Sequence, residues 1–453
     1  MYRKKDRQTL PLFPELFSLG GGLRADNRWL KLGRLIPWNQ MEEVYRGYFS
    51  AYQGRPAKES RLICGLLVVK HMEGYSDERV VEEYLENPYI QAFCGEETFV
   101  VEGGIAPSLL SKMRKRLGEK FFRQLERDVL AVLKRRQTIR SGEHLLDATV
   151  IPANIEYPMD TKLLNRARLW VVKVIGVIRK RFNVKEKVRT YCRKAQAAYV
   201  GFQKKRKKTK AMVRLMRGKM LRYLRRNVRQ VEELLREYGK RLKRREREFI
   251  RRRLEVVKVI YAQQREMWKK RLRTVGERIV SLHLPHIRPI VRGKEGKEVE
   301  FGPKALLSWV NGYCFLDKLG FEAFNEGVHL LGSLKKYKER FGRYPRCSTG
   351  DGIFGNRENR AKLKDLKILD GYKALGKAAR DKVNKQWFRA KQRLRGSRME
   401  GIIGHGKNHF GLDRILYRIK GGEEMWIRLA LLAMNLSTAL KRMPKMAEGP
   451  APA

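Results

Sequence analysis

Acidic residues are scarce in this chain. Only 48 Asp and Glu face 102 Lys and Arg over 453 residues, giving a formal net charge of +54 and a pI near 10.5. That imbalance excludes the mixed-sign surface of an ordinary small-metabolite enzyme, and it repels itself unless a polyanion neutralises it. Cysteine is also rare: Cys64, Cys94, Cys192, Cys314 and Cys347 are odd in number, widely spaced and without a CxxC pair. A disulfide framework and a Cys-rich zinc site are excluded, and a reducing cytoplasm fits. Long apolar runs are missing. The longest, Trp426 to Leu440, contains Arg428 and Asn435. It is too short and too interrupted to span a bilayer, so no membrane partner is expected. The basic start, Met1-Tyr2-Arg3-Lys4-Lys5, is followed by Pro11 and Pro14, which break any apolar signal segment.

What is present argues for a folded, nucleic-acid-facing protein. Apolar residues make up 42% and aromatics 9%, too many for a disordered polycation. The length suits roughly three domains. Residues 1–140 read as helical. Arg61 to Met72 is a dense apolar run, Glu73-Gly74-Tyr75 turns, and Ser76 caps a second helix to about Leu85. Pro107 opens a third helix to about Lys134, whose start carries Arg114, Lys115 and Arg116. Helix, glycine turn and basic helix resemble a helix-turn-helix DNA reader, although all-α domains often share that outline. Leu145 to Ile151 is a β-type run closed by Pro152.

The block 161–280 carries about 42 Lys and Arg against about 9 Asp and Glu, roughly +33 of the whole excess. Almost no proline interrupts it. The spacing of Met212, Leu215, Met216, Leu221 and Leu224 predicts long helices, an antiparallel pair turning near Gly201 or Gly239. Its densest patch, Lys204-Lys205-Arg206-Lys207-Lys208, has too few acids nearby for i,i+4 pairing, so phosphate contact is the better reading than a solvated face. Strand patterns return at Ile287–Val291 and Val299–Cys314, flanking the turn-rich stretch Arg292 to Lys297. A basic helix over about Ser333–Phe341 follows, then helical patterns at 356–366, 376–395 and 398–440 with breaks. The segment Pro444–Ala453 is expected to be a disordered tail, and Gly20-Gly21-Gly22 a loop without a phosphate-loop Lys after it.

A protein that cuts a phosphodiester usually needs two divalent ions and several converging carboxylates. Three acids stand out. Asp147 interrupts an apolar strand, where an unpaired charge is costly; a strand end, a turn cap and a cation ligand are all open readings. Asp351, in Thr349-Gly350-Asp351-Gly352-Ile353-Phe354, suits the end of a short strand or an ordinary Asp-Gly turn. Glu400 closes the capping-box pattern Ser397-Arg398-Met399-Glu400 and has Lys407 two turns downstream. His405 and His409 are spaced for one helix face, but no third zinc ligand accompanies them.

Strand-Asp, strand-Asp, helix-Glu, in that order, resembles the DDE transposases of bacterial insertion sequences, the insertion-sequence-five group above all. The resemblance covers nearly the whole chain. It runs through Ile105 to Gly118, Leu146 to Val150 with Tyr157 to Leu164, Ser281-Leu282-His283, Val299 to Lys304, Thr349 to Phe354 with Glu358-Asn359, and Glu400 to Lys407 with its E-x6-K spacing.

The resemblance implies an α/β fold: an RNase H-like mixed-sheet core at 141–160 and 281–442, split by the basic helical insertion 161–280 and preceded by an all-α DNA-binding domain at 1–140. It implies Asp147, Asp351 and Glu400 as catalytic ligands of two Mg²⁺ (or Mn²⁺) ions, and Lys407 on the phosphate of the element's end. The expected reaction is cleavage at transposon ends and transfer of the freed 3′-OH into target DNA. The partners would be double-stranded DNA and a second copy or larger assembly, at the bacterial nucleoid in the cytoplasm. Two alternatives share the fold: an inactive nucleic-acid-binding protein, and a metal-dependent nuclease that does not join. The chain departs from the family in two places. Gly396 stands where an Arg is common before the Glu, with Arg395 and Arg398 beside it, and Gly352 replaces a common basic residue after Asp351.

Overall fold

Local signals set most of the helices. The structure, a computed structural model, describes residues 1, 22–102, 105–186, 188–291, 299–373 and 382–443. Gly20-Gly21, the stretch Arg292–Lys297, the start of the helix expected at 376–395 and the segment Pro444–Ala453 lie outside those residues. Helices α1 (Arg28–Gly33) and α2 (Trp38–Arg46) precede α3 (Ser60–Glu73), which is buried almost throughout. Gly74 ends α3 in the left-handed conformation (φ 70°), open to glycine at no steric cost. The Ser76 side chain then accepts from Arg79 N and starts α4 (Asp77–Glu86). Sequence reasoning missed α5 (Pro88–Cys94), opened by an Asn87 cap and Pro at its first position. Helix α6 (Pro107–Arg135) kinks at Gly118 (φ 65°, ψ 179°).

The chain divides into two compact units, 1–154 with 303–453, and 155–302. In the first, a mixed five-stranded sheet runs in the order β5-β4-β1-β6-β7. Its strands are β1 (His144–Val150), β4 (Lys304–Val310), β5 (Tyr313–Gly320), β6 (Cys347–Thr349) and β7 (Leu369–Asp370). Strand β4 is antiparallel to β1 and β5, whereas β6 is parallel to β1 and to β7. The reading of Val299–Cys314 as one strand is corrected. Asn311 (φ 48°) and Gly312 (φ 89°) form a tight turn between β4 and β5, because Asn-Gly accepts positive φ at both central positions. Helices α11 (Leu330–Phe341), α12 (Arg357–Asp365), α13 (Lys382–Leu394), α14 (Gly401–His409) and α15 (Gly422–Arg442) complete this unit.

Helix α15 packs against β5, α6 and α3. One core therefore runs from Leu66 and Phe121 through Leu145 and Phe315 to Leu432. The N-terminal helices share that core with the sheet instead of standing apart as a 1–140 domain.

The second unit contains α7 (Asp160–Arg181), α8 (Cys192–Lys204), α9 (Lys210–Tyr238) and α10 (Arg244–Lys270), with a short antiparallel ribbon of β2 (Pro289–Val291) and β3 (Val299–Phe301). Helix α9 packs along α7 and α10 around Met220, Leu224, Val257 and Ile260. Asp160 fastens the bundle through Arg278 (2.6 Å) and Gln264 (2.8 Å). The chain turns at Gly239–Arg241 as expected, but Gly201 lies inside α8 and the other turn falls after Lys204.

Candidate active site

Strand β1 is buried on both faces except at one position, Asp147. Its register with β6 pairs Leu145 with Thr349. Asp147, in the middle of β1, and Asp351, just past the end of β6, each lie two residues further on, so the two carboxylates come from neighbouring parallel strands that run about 4.8 Å apart where they pair. Gly350 makes that approach possible. A Cβ there would meet Phe354 at 2.9 Å, Tyr372 at 3.0 Å and the Leu146 carbonyl at 3.2 Å. Each aspartate is steadied by the next backbone amide: Ala148 N–H donates to Asp147 Oδ1 (2.8 Å), and Gly352 N–H to Asp351 Oδ1 (2.7 Å). Asp351 thereby caps the turn Gly352–Phe354 and remains exposed.

Glu400 comes from a helical segment packed against β1. Helix α13 is tied over the strand ends by Gln392, whose amide donates to the carbonyls of Gly350 and Gly371 (3.3 Å each), and by a Lys391–Glu143 ion pair. It then passes into a π-helical turn, Arg395–Glu400, anchored by the buried Met399. A π-turn closes i to i+5 and holds one residue more than an α-turn. Arg395, five positions before Glu400, therefore lies where an α-helix would put the fourth. The arginine that faces these acids is thus Arg395, next to Gly396. Arg395 Nη2 is 3.3 Å from Asp147 Oδ2 and its Nη1 is 3.5 Å from Glu400 Oε1, so one guanidinium bridges the first and third acids.

Burial pushes the Asp147 carboxyl above the usual carboxylate range. The Arg395 charge and the Ala148 N–H oppose that rise, while the negative charges of Glu326 and Asp351 add to it. Glu326, ion-paired with Lys304 (2.7 Å), is a fourth acid of the cluster that the sequence reading missed. It stands in a loop, with no flanking pattern to mark it.

The remaining candidates are placed as follows. Lys407 is half-buried on α14, seven residues and about 10 Å of helix beyond Glu400. Arg398, Lys115 and Arg116 are exposed. Arg114 is not available to DNA: it is buried, bidentate to Asp77 (2.9 and 2.5 Å), and its guanidinium stacks 4.1 Å from the Tyr417 ring centre. Its position on the inner face of α6, beside Met113 and Leu117, explains the correction. Lys204 to Lys208 are exposed at the end of α8 and in the loop that follows. The His405 and His409 rings lie 4.8 Å apart, tilted by 50°.

The donor set suits a hard divalent ion, since its ligands would all be carboxylate oxygens. Among the described residues, however, no three metal-ligating side chains close around one point. The guanidinium of Arg395 holds two of the acids in reach of each other.

Comparison with known proteins points to transposases. Residues 18–116 match the family described as Transposase domain (DUF772), and residues 354–440 match the family described as Transposase DDE domain. A relative from Rhizobium meliloti, "Uncharacterized protein ORF8 in nfe locus", is 37% identical over 147 residues, which is 32% of this chain and 70% of that protein. No solved structure matches the chain.

Proposed function

From the two transposase family matches we propose that the chain is a DDE transposase that cuts DNA at the ends of a mobile element and joins the freed 3′-OH to target DNA, with Asp147, Asp351 and Glu400 as the catalytic carboxylates. The observation that carries this reading is the Arg395 bridge between Asp147 and Glu400, with Asp351 following the parallel strand next to β1. The sheet order, with two antiparallel strands on one side of β1 and two parallel strands on the other, supports an RNase H-like core of the insertion-sequence-five type.

Two Mg²⁺ or Mn²⁺ ions bound by these acids would supply water activation and neutralisation of the charge that builds on the scissile phosphate. The protein's own residues do the rest. Asp147 keeps a carboxylate in a half-buried position where a cation is needed to offset its desolvation. The backbone amides of Ala148 and Gly352 fix the orientation of both aspartates. Arg395 positions Glu400, while Arg398 and Lys407, on the same helical segment, bind the phosphates flanking the cut. Water and then a 3′-OH act as nucleophiles, so no side chain need form a covalent bond; the thiols of Cys64, Cys94 and Cys314 are buried and held protonated. Lys115, Arg116 and Lys204 to Lys208 hold the duplex, and pairing of two element ends calls for a dimer or larger assembly. No described helix is long and apolar enough to cross a membrane.

The test is a divalent-dependent assay on a duplex carrying the element's end. Cleavage and strand transfer are expected from the parent chain, and loss of both with duplex binding intact from Asp147→Asn, Asp351→Asn and Glu400→Gln. Cleavage that survives all three substitutions refutes the assignment. Cleavage without joining would leave a nuclease, and binding without cleavage an inactive relative.

A further inference from the structure

Along α9, Arg222, Arg225, Arg229 and Arg236 are exposed and recur at helical spacing on one face. The chain then turns, and Lys243 and Arg245 are exposed at the start of α10. None of these six side chains makes an ion pair or a hydrogen bond to another described residue. Glu233 and Glu237 are the exposed acids among them. One turn beyond Arg245, Phe249 is 55% exposed beside the basic turn, with the Arg253 guanidinium 5.5 Å from its ring centre. Like charges at i,i+3 and i,i+4 destabilise a helix. A stripe of unpaired arginines is therefore a cost to folding that a polyanion relieves.

We infer that this arginine stripe and the α9–α10 turn form a second duplex-DNA contact surface, separate from Lys204–Lys208. The inference rests on the DNA-processing reading above and adds to it where the duplex is held. Lys204–Lys208 lies before the first turn of α9, and the α9–α10 turn lies beyond its last. Twenty-nine residues at 1.5 Å each put these two sites about 43 Å apart along the helix. They cannot grip one phosphate. From Arg222 to Arg236 the rise is about 21 Å, the length of roughly six base-pair steps, which suits four guanidinium groups tracking a backbone strand along a groove. Guanidinium groups take phosphate oxygens in pairs, so the surface fits backbone and carries no reading of sequence.

The experiment measures binding of the full chain to a 30-base-pair duplex by fluorescence anisotropy between 50 and 200 mM NaCl. It compares the parent with R225Q/R229Q/R236Q, with R225K/R229K/R236K, and with Lys204–Lys208 changed to Gln. Every phosphate that the protein no longer neutralises lowers the slope of log affinity against log salt by about 0.9. The glutamine triple should lower the slope by about 2.7, so that the parent loses about 40-fold more affinity than the variant across that range. The lysine triple, which keeps the charge, should retain the parent slope. An unchanged slope in the glutamine triple overturns the surface, as does an equal loss in the lysine triple, which would point to misfolding. Tighter stripe-dependent binding of single-stranded RNA, or of vesicles rich in anionic lipid, than of the duplex also overturns it. End cleavage, assayed alongside, separates the two readings: an unaltered slope with cleavage intact removes only this surface, whereas a slope that falls as expected in a chain that never cleaves removes only the transposase chemistry.

Discussion

The bridge formed by Arg395 makes a quantitative demand on the metal-free protein. Its guanidinium lies 3.3 Å from Asp147, and both side chains are less than a fifth exposed. At an effective dielectric constant near 20, two unit charges at that distance attract by about 5 kcal/mol. Desolvation and the ordering of a long side chain offset much of this, leaving about 2 kcal/mol, the usual range for a charge-assisted hydrogen bond. The second arm, to Glu400, is weak because Glu400 is 62% exposed, and it contributes at most about 0.5 kcal/mol. Arg395→Gln should therefore destabilise the sheet by about 2 kcal/mol in the parent and by about 0.5 kcal/mol in an Asp147→Asn background. Asp147→Asn alone should be neutral or stabilising. It removes a desolvated charge and keeps an oxygen for the Ala148 N–H. Because the chain has two compact units, hydrogen exchange of the β1 amides in EDTA is the proper assay, since it reports opening of this sheet alone. A coupling energy below about 0.5 kcal/mol in this double-mutant cycle would refute the bridge, and with it the account of how Glu400 is positioned.

Other consequences are simpler. Asp77→Ala strands Lys70 and Arg114, both only 5% exposed, and should cost about 3–5 kcal/mol in thermal or denaturant unfolding; a cost under 1 kcal/mol would mean the network is dispensable. His71 and His144 are fully buried, and burial lowers their pKa to about 3 and about 4. Both must stay neutral in the fold, so the stability they contribute is present above about pH 6.5 and is lost as pH falls toward 4. Each adds a slope of up to about 1.4 kcal/mol per pH unit, and His71→Phe should flatten the profile by about that amount. Lys407→Ala should weaken binding to an end-containing duplex and lower its salt slope by about 1, leaving helix content unchanged in circular dichroism; an unaltered slope would place Lys407 away from phosphate.

Much of the helical outline was legible because caps are local. Ser76, Gly74 and Pro107 each mark a boundary through their own backbone chemistry. The Asn311-Gly312 turn was equally local but lay hidden in a long run of β-formers. Arg114 could not be placed, because a helical stripe of charge does not reveal which face another element covers. Here Asp77 and Tyr417, from distant parts of the chain, enclose it. The three proposed acids stood out in the sequence by their odd surroundings, an aspartate in an apolar strand above all. Their bridge was not. Counting back from Glu400 in α-helical steps reaches Gly396, and only the extra residue of the π-turn brings Arg395 into place. Glu326 depended on a tertiary approach that no short pattern encodes.

The site is therefore defined by what its cations leave uncompensated. In a chain with an excess of 54 positive charges, acids are easily neutralised. Glu424 has both Arg123 and Arg428, and Asp77 has both Lys70 and Arg114. Around Asp147 the balance reverses. Asp147, Asp351, Glu400 and Glu326 are answered by Arg395 and Lys304. Among the described residues the deficit is two charges, where the middle of β1, the end of β6 and the π-helical turn supply the acids. A polyanion is repelled by such a spot, and hard divalent cations are drawn to it. DNA can be brought there only if the excess positive charge elsewhere on the protein holds the backbone against that local repulsion. On this view the excess of lysine and arginine and the few acids that escape it are complementary parts of one arrangement: the cations bind the substrate, and the uncompensated carboxylates provide the place for chemistry.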